Sequence, residues 1–109
     1  MLWKCTVCGY TNTGDKAPDP CPKCGSPAEK AILVSEEDAQ KIFISDRTND
    51  IHMKIAALSM EILALCDEGI KLNLDPGCVS VFSKAKQEVW VMKQRSKAEI
   101  VTHIAKGKW

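Results

Sequence analysis

From residue 35 onward the apolar residues fall at helical spacing. Ile51, Ile55, Leu58, Ile62 and Leu65 recur in steps of four, three, four and three, which is a heptad seam. Ala56, Ala57, Met60, Leu63 and Ala64 widen it into a broad apolar surface. Upstream, Ser35 with Asp38 three residues on, and Glu36 and Glu37 between them, has the form of a helix start. A short helix is predicted from there to about Ile44, closed by a cluster of cap-forming residues, Ser45, Asp46, Thr48, Asn49 and Asp50. Gly69 stands where the seam helix would end on a C′ glycine. Ile70 to Leu74 then reads as a linker, and Asp75-Pro76 restarts a helix with Asp as N-cap and Pro at N1. Val79, Val81, Phe82, Ala85, Val89, Val91 and Met92, then Ile100, Val101 and Ile104, carry one long helix from about 76 to 106. Two such helices on a short linker fold back as an antiparallel hairpin.

Charge agrees with that pairing. Residues 35–75 hold nine acids against four bases, and residues 84–108 hold seven bases against two acids. Exposed ion pairs are individually worth roughly 0–1 kcal/mol, so this asymmetry sets orientation more than stability. A two-helix hairpin leaves one apolar side of each helix uncovered, which predicts a homodimer through residues 46–106 with a four-helix core.

The first third has no such period. It is organised by Cys5, Cys8, Cys21 and Cys24, two C-x-x-C pairs separated by the twelve residues from Gly9 to Pro20. Two residues between cysteines let a tight turn aim both sulfurs at one ion, and four soft thiolates in a tetrahedron suit iron or zinc. Spacing alone leaves both metals open. About thirty residues bury little core, so the metal is expected to staple this segment. Gly9 and Gly25 follow the second cysteine of each pair, where a positive φ turns backbone N–H groups back toward the sulfurs. Thr11 to Pro20 reads as loop, with short strands around Trp3–Thr6 and Ala31–Val34, and Trp3 and Tyr10 are the natural apolar lids of the site.

These residues resemble a known family. Trp3-Lys4-Cys5, Cys8-Gly9-Tyr10, Gly14-Asp15 with Ala17-Pro18, and Cys21-Pro22-x-Cys24-Gly25 with Pro27 are similar to the rubredoxin-like domain of rubrerythrins. The resemblance covers residues 1–34 and leaves 35–109 as a helical region of its own. It implies one iron per chain, held by Cys5, Cys8, Cys21 and Cys24 and cycling between Fe(III) and Fe(II). It therefore implies a one-electron carrier that serves a partner oxidoreductase. A zinc ribbon that staples a protein-interaction module is the alternative.

The body supplies no catalytic set to go with it. The di-iron helices that the resemblance would bring use Glu-x-x-His, and no such motif is present; Glu99 and His103 share a helix face at the wrong step, and Glu61 and Glu88 are isolated. Glu99 and His103 are expected as surface charge. His52 and His103 would meet only across a dimer. Met53, Met60 and Met92 read as core filler, and Cys66 and Cys78, flanking the hairpin turn, as free buried thiols rather than a pair. A net charge of +1 and a basic run, Lys84 to Lys97, with Trp90 as its one aromatic, argue against nucleic acid. The absence of a long apolar run argues against a membrane span, and four thiols in metal spacing without a leader argue for the cytoplasm. The expected fold class is mainly α with a small metal-stapled β knuckle: a rubredoxin-like module, a short helix, then a long antiparallel hairpin. The expected function is electron transfer to a protein partner, without a substrate site of its own.

Overall fold

The computed structural model describes all residues from Met1 to Trp109. They form two compact units, residues 1–44 and 45–109. In the first, strand β1 (Leu2–Cys5) is the centre of a three-stranded antiparallel sheet, flanked by β2 (Thr11–Thr13) and β3 (Ala31–Leu33). Trp3 stands opposite Asn12 on one side and Leu33 on the other. β1 and β3 lie where the sequence places them. β2 was legible only as loop, because Thr-Asn-Thr is polar and short; its backbone becomes a strand by pairing with β1.

Helix α1 (Glu36–Leu72) and helix α2 (Pro76–Ala105) make up the rest. Ser35 caps α1, its hydroxyl accepting from the Asp38 N–H at 3.2 Å. Asp75 caps α2, its carboxylate accepting from the Cys78 N–H at 2.7 Å, with Pro76 at N1. α2 ends in a Schellman turn on Gly107, whose φ is 69°, with the Lys108 N–H bonded to the His103 carbonyl at 2.8 Å.

Three expectations about α1 are corrected. The short helix over 35–44 and the seam helix are one helix of 37 residues, with no break at 45–50. The polar cluster there turns inward: Ser45 Oγ and Asn49 Nδ2 donate to the Lys108 carbonyl at 2.5 and 2.8 Å, and both residues are buried. Side chains read as caps are partners for the end of α2. Gly69 lies inside the helix and is not its C′ residue. α1 runs on to Leu72 and stops at Asn73, the left-handed residue, with φ 48°.

The third correction concerns which stripe α2 covers. From residue 45 on, the covered stripe of α1 runs through Ser45, Asn49, His52, Ala56, Ser59, Leu63, Cys66 and Ile70, again a heptad, displaced by one residue from the apolar seam, of which Ile55 alone is half-buried beside it. His52 Nδ1 meets Ser96 Oγ at 3.1 Å, and Lys86 Nζ meets Asp67 Oδ1 at 2.5 Å, so the two helices run antiparallel. Ser59, 1% exposed, satisfies its hydroxyl on the Ile55 carbonyl of its own helix. No buried side-chain nitrogen or oxygen lacks a partner. The physical reason for the displacement is that Ser45, Asn49 and His52 find partners on α2 and its C-terminal turn across this stripe, and a buried polar group without one costs about 1–3 kcal/mol.

Candidate metal centre

The two cysteine pairs are built as near copies of one turn. Gly9 N–H donates to the Cys5 carbonyl and Gly25 N–H to the Cys21 carbonyl, both at 2.9 Å. Cys5 N–H donates to the Tyr10 carbonyl and Cys21 N–H to the Ser26 carbonyl, both at 2.8 Å. The glycines take φ 79° and 73°, as the sequence requires of them. β1 delivers Cys5 into the first knuckle, and the segment between β2 and the 3₁₀ turn Ala28–Lys30 delivers Cys21 and Cys24.

The four sulfurs converge, all lying within 4.8 Å of one another. Cys5 Sγ and Cys24 Sγ are 3.7 Å apart, as are Cys8 Sγ and Cys21 Sγ. A tetrahedron with metal–sulfur bonds of about 2.3 Å has sulfur–sulfur edges of about 3.8 Å. These spacings are far too long for a disulfide and match the edges of a metal cage. The donor set therefore fits a soft tetrahedral ion.

Electrostatics divide the cage. Ser26 holds the Cys24 thiol down to about 6, first through its hydroxyl at 3.1 Å and then through its backbone N–H. Cys21 is lowered mainly by the backbone N–H of Cys24, with help from that of Lys23. At Cys8 the Tyr10 backbone N–H favours the thiolate, but burial and the three neighbouring thiols push it up to about 11. Ser26→Ala removes a donor to the Cys24 thiolate. The metal should then be released by acid at a higher pH than in the parent, by a few tenths of a pH unit, read from the thiolate–metal absorption during titration.

Cys5 and Cys21 are buried, Cys8 is half-buried and Cys24 exposed, so one side of the cage faces solvent. Trp3 and Tyr10 close the other side, with Pro18 and Pro27, around a void of about 10 Å³ that is barely large enough for one water. Trp3 Nε1 donates to the Gly14 carbonyl at 3.2 Å, which ties the lid to the intervening loop.

The residues singled out in the helices are placed otherwise. His103, expected at the surface, has a side chain only 13% exposed. Its Nδ1 bonds Asn49 Oδ1 and its Nε2 lies 3.4 Å from Glu99 Oε1. His52 and His103 meet within one chain, ring centroids 6.0 Å apart. The signal for this was present in Asn49 and His103 at matching heights of a hairpin, but it becomes readable only once the covered stripe is known. Cys66 is buried and Cys78 half-buried, and both are free thiols. No helix is long and apolar enough to cross a membrane.

Comparison with known proteins agrees with the geometry. Residues 3–30 match the rubredoxin-like domain of rubrerythrin. Reverse rubrerythrin-1 of Clostridium acetobutylicum is 32% identical over 84 residues, taking in 72% of this chain and 39% of that protein. The similarity thus reaches past the knuckles into the helices, while this chain spans well under half of that relative. No solved structure matches the chain. Four clustered cysteines, twin glycine knuckles and the matched stretch agree: the N-terminal third of this chain is a rubredoxin-like domain of the rubrerythrin type.

Proposed function

We propose that the protein is a one-electron carrier whose centre is a single iron held by Cys5, Cys8, Cys21 and Cys24. The observation that carries this reading is the tetrahedral sulfur cage inside a stretch matched by the rubredoxin-like domain. Iron in such a cage supplies the Fe(III)/Fe(II) couple. The chain does the rest. The backbone N–H groups of Tyr10, Lys23, Cys24 and Ser26 point at the sulfurs and stabilise their negative charge. Trp3 and Tyr10 keep water from the buried side. The exposed Cys24 and half-buried Cys8, beside Val7 at 60% exposure, form the face on which a partner oxidoreductase docks and exchanges the electron.

In this reading residues 1–34 are the redox module and residues 35–109 a dimerisation or docking region, paired as a homodimer through residues 46–106. The protein works in the cytoplasm. The test is colour and metal content. Oxidised protein purified from iron-replete cells should be red, carry one iron per chain and bleach on reduction by one electron. Colourless protein with one zinc per chain would replace this reading with a zinc-stapled interaction module, which the sulfur cage also accommodates.

A further inference from the structure

The stripe that α2 leaves uncovered is the more apolar of the two on α1. Ile51, Leu58 and Ile62 are each 41–43% exposed and Leu65 is 63% exposed. On the same side α2 presents Val91 and Met92, the latter 52% exposed. Ile55 of α1 with Val91 and Met92 of α2 line an open groove of about 590 Å³ on this side, edged by Glu88 and Arg95. An unpaired Ile/Leu heptad flanked by one acid and one base is a helix-packing surface rather than a solvated one.

We propose that a second copy of the chain fills this groove, about a two-fold axis that crosses the helices at Leu58 and between Val91 and Met92. The inference rests on the homodimer of the preceding section and assigns its face and register. Symmetry supplies the argument. About Leu58 the ends of the α1 stripe exchange, Ile51 taking the place of Leu65, and Ile55 comes within one residue of the place of Ile62. About the point between Val91 and Met92, Glu88 takes the place of Arg95. The pairs His52–Ser96 and Asp67–Lys86 bracket these two points at one level of the hairpin. A single axis therefore satisfies both helices. It stacks Leu58 on its counterpart and sets Glu88 of each copy against Arg95 of the other, as an isologous interface requires.

The size is sufficient. From Ile51 to Leu72 the helix is about 33 Å long, and two helices side by side are about 20 Å wide. The face is then roughly 650 Å² per copy, or about 1,300 Å² in total, within the range of stable interfaces.

Sedimentation equilibrium on metal-loaded protein at micromolar concentration tests the assignment. The parent should run at twice 12.0 kDa. Glu88→Arg and Arg95→Glu should each weaken the dimer about tenfold or more, by opposing like charges at the two ends of the groove. The combined E88R/R95E variant should return to near the parent value. Trp90→Ala, on the groove shared with Leu63 and Ile70, should leave the dimer intact. A monomeric parent overturns the homodimer together with this interface. A dimeric parent indifferent to both charge reversals but broken by Trp90→Ala overturns the face and register alone. Far-UV circular dichroism matching the parent shows that each variant remains folded.

Discussion

Cys21→Ala leaves the protein without metal and unfolds its N-terminal unit while the helical hairpin survives. The unit of residues 1–44 buries only Leu2, Cys5, Cys21 and Ala39, and two of these are sulfurs of the cage. Its sheet is three strands of four, three and three residues. A module of about 40 residues with so small a core does not outweigh its chain entropy unaided. Metal binding in comparable thiolate sites is worth about 10–16 kcal/mol, more than such a module could supply by packing. Losing one ligand of four therefore removes the staple rather than weakening it. The expected result is a metal content near zero and loss of amide protection in the Trp3 and Lys4 ladder. The helical signal at 222 nm should be largely kept, because the hairpin has its own seam. Cys66→Ala, a buried thiol outside the cage, is the control that retains metal. Protected β1 amides in metal-free Cys21→Ala protein would show that the sheet stands without its ion.

The difference between these two cysteines was legible in the sequence, and the reason is physical. A C-x-x-C knuckle is a local device: its two sulfurs, its glycine and its returning N–H groups lie within a few residues. Spacing therefore specifies the geometry of Cys5, Cys8, Cys21 and Cys24 almost completely. The caps at Ser35 and Asp75 are local in the same way, and so is the hairpin turn. What was not legible depends on a partner far along the chain. Thr11–Thr13 becomes a strand only beside β1. Ser45 and Asn49 look like caps until the Lys108 carbonyl is placed against them. The choice between two heptads one residue apart on α1 is a choice about the position of α2. Hydrophobicity favours the Ile51–Leu65 stripe, and polar complementarity with Ser96, His103 and Lys86 selects its neighbour. That the more apolar stripe lost this contest inside the chain is what leaves Ile51, Leu58, Ile62 and Leu65 exposed.

Gly69→Ala should destabilise the hairpin by about 1–2 kcal/mol, against the usual sign of that exchange in a helix. Alanine in a helix interior is favoured over glycine by about 1 kcal/mol, so an open site would gain stability. Gly69 is not open. A Cβ built there lies 2.5 Å from Phe82 Cδ2 and Cε2 and 2.7 Å from Cζ. Those are ring atoms of a half-buried side chain packed against the helix, so either the ring leaves its position or the helices separate. Overpacking of this kind costs typically about 1–3 kcal/mol, which exceeds the propensity gain. The loss corresponds to a Tm lower by roughly 5–10 °C for a unit of this size. It should be measured at 222 nm, where the helices dominate, and at one fixed protein concentration, because the proposed dimerisation would add to apparent stability. The cause is separable by a double-mutant cycle. Phe82→Leu relieves the clash, so the cost of Gly69→Ala in that background should shrink to near zero or reverse, giving a coupling of about 1 kcal/mol or more. An alanine variant more stable than the parent, with no coupling to Phe82, would mean that the ring does not rest on Gly69. The glycine would then be the helix terminator that its sequence position first suggested, and α1 would end a turn before Leu72.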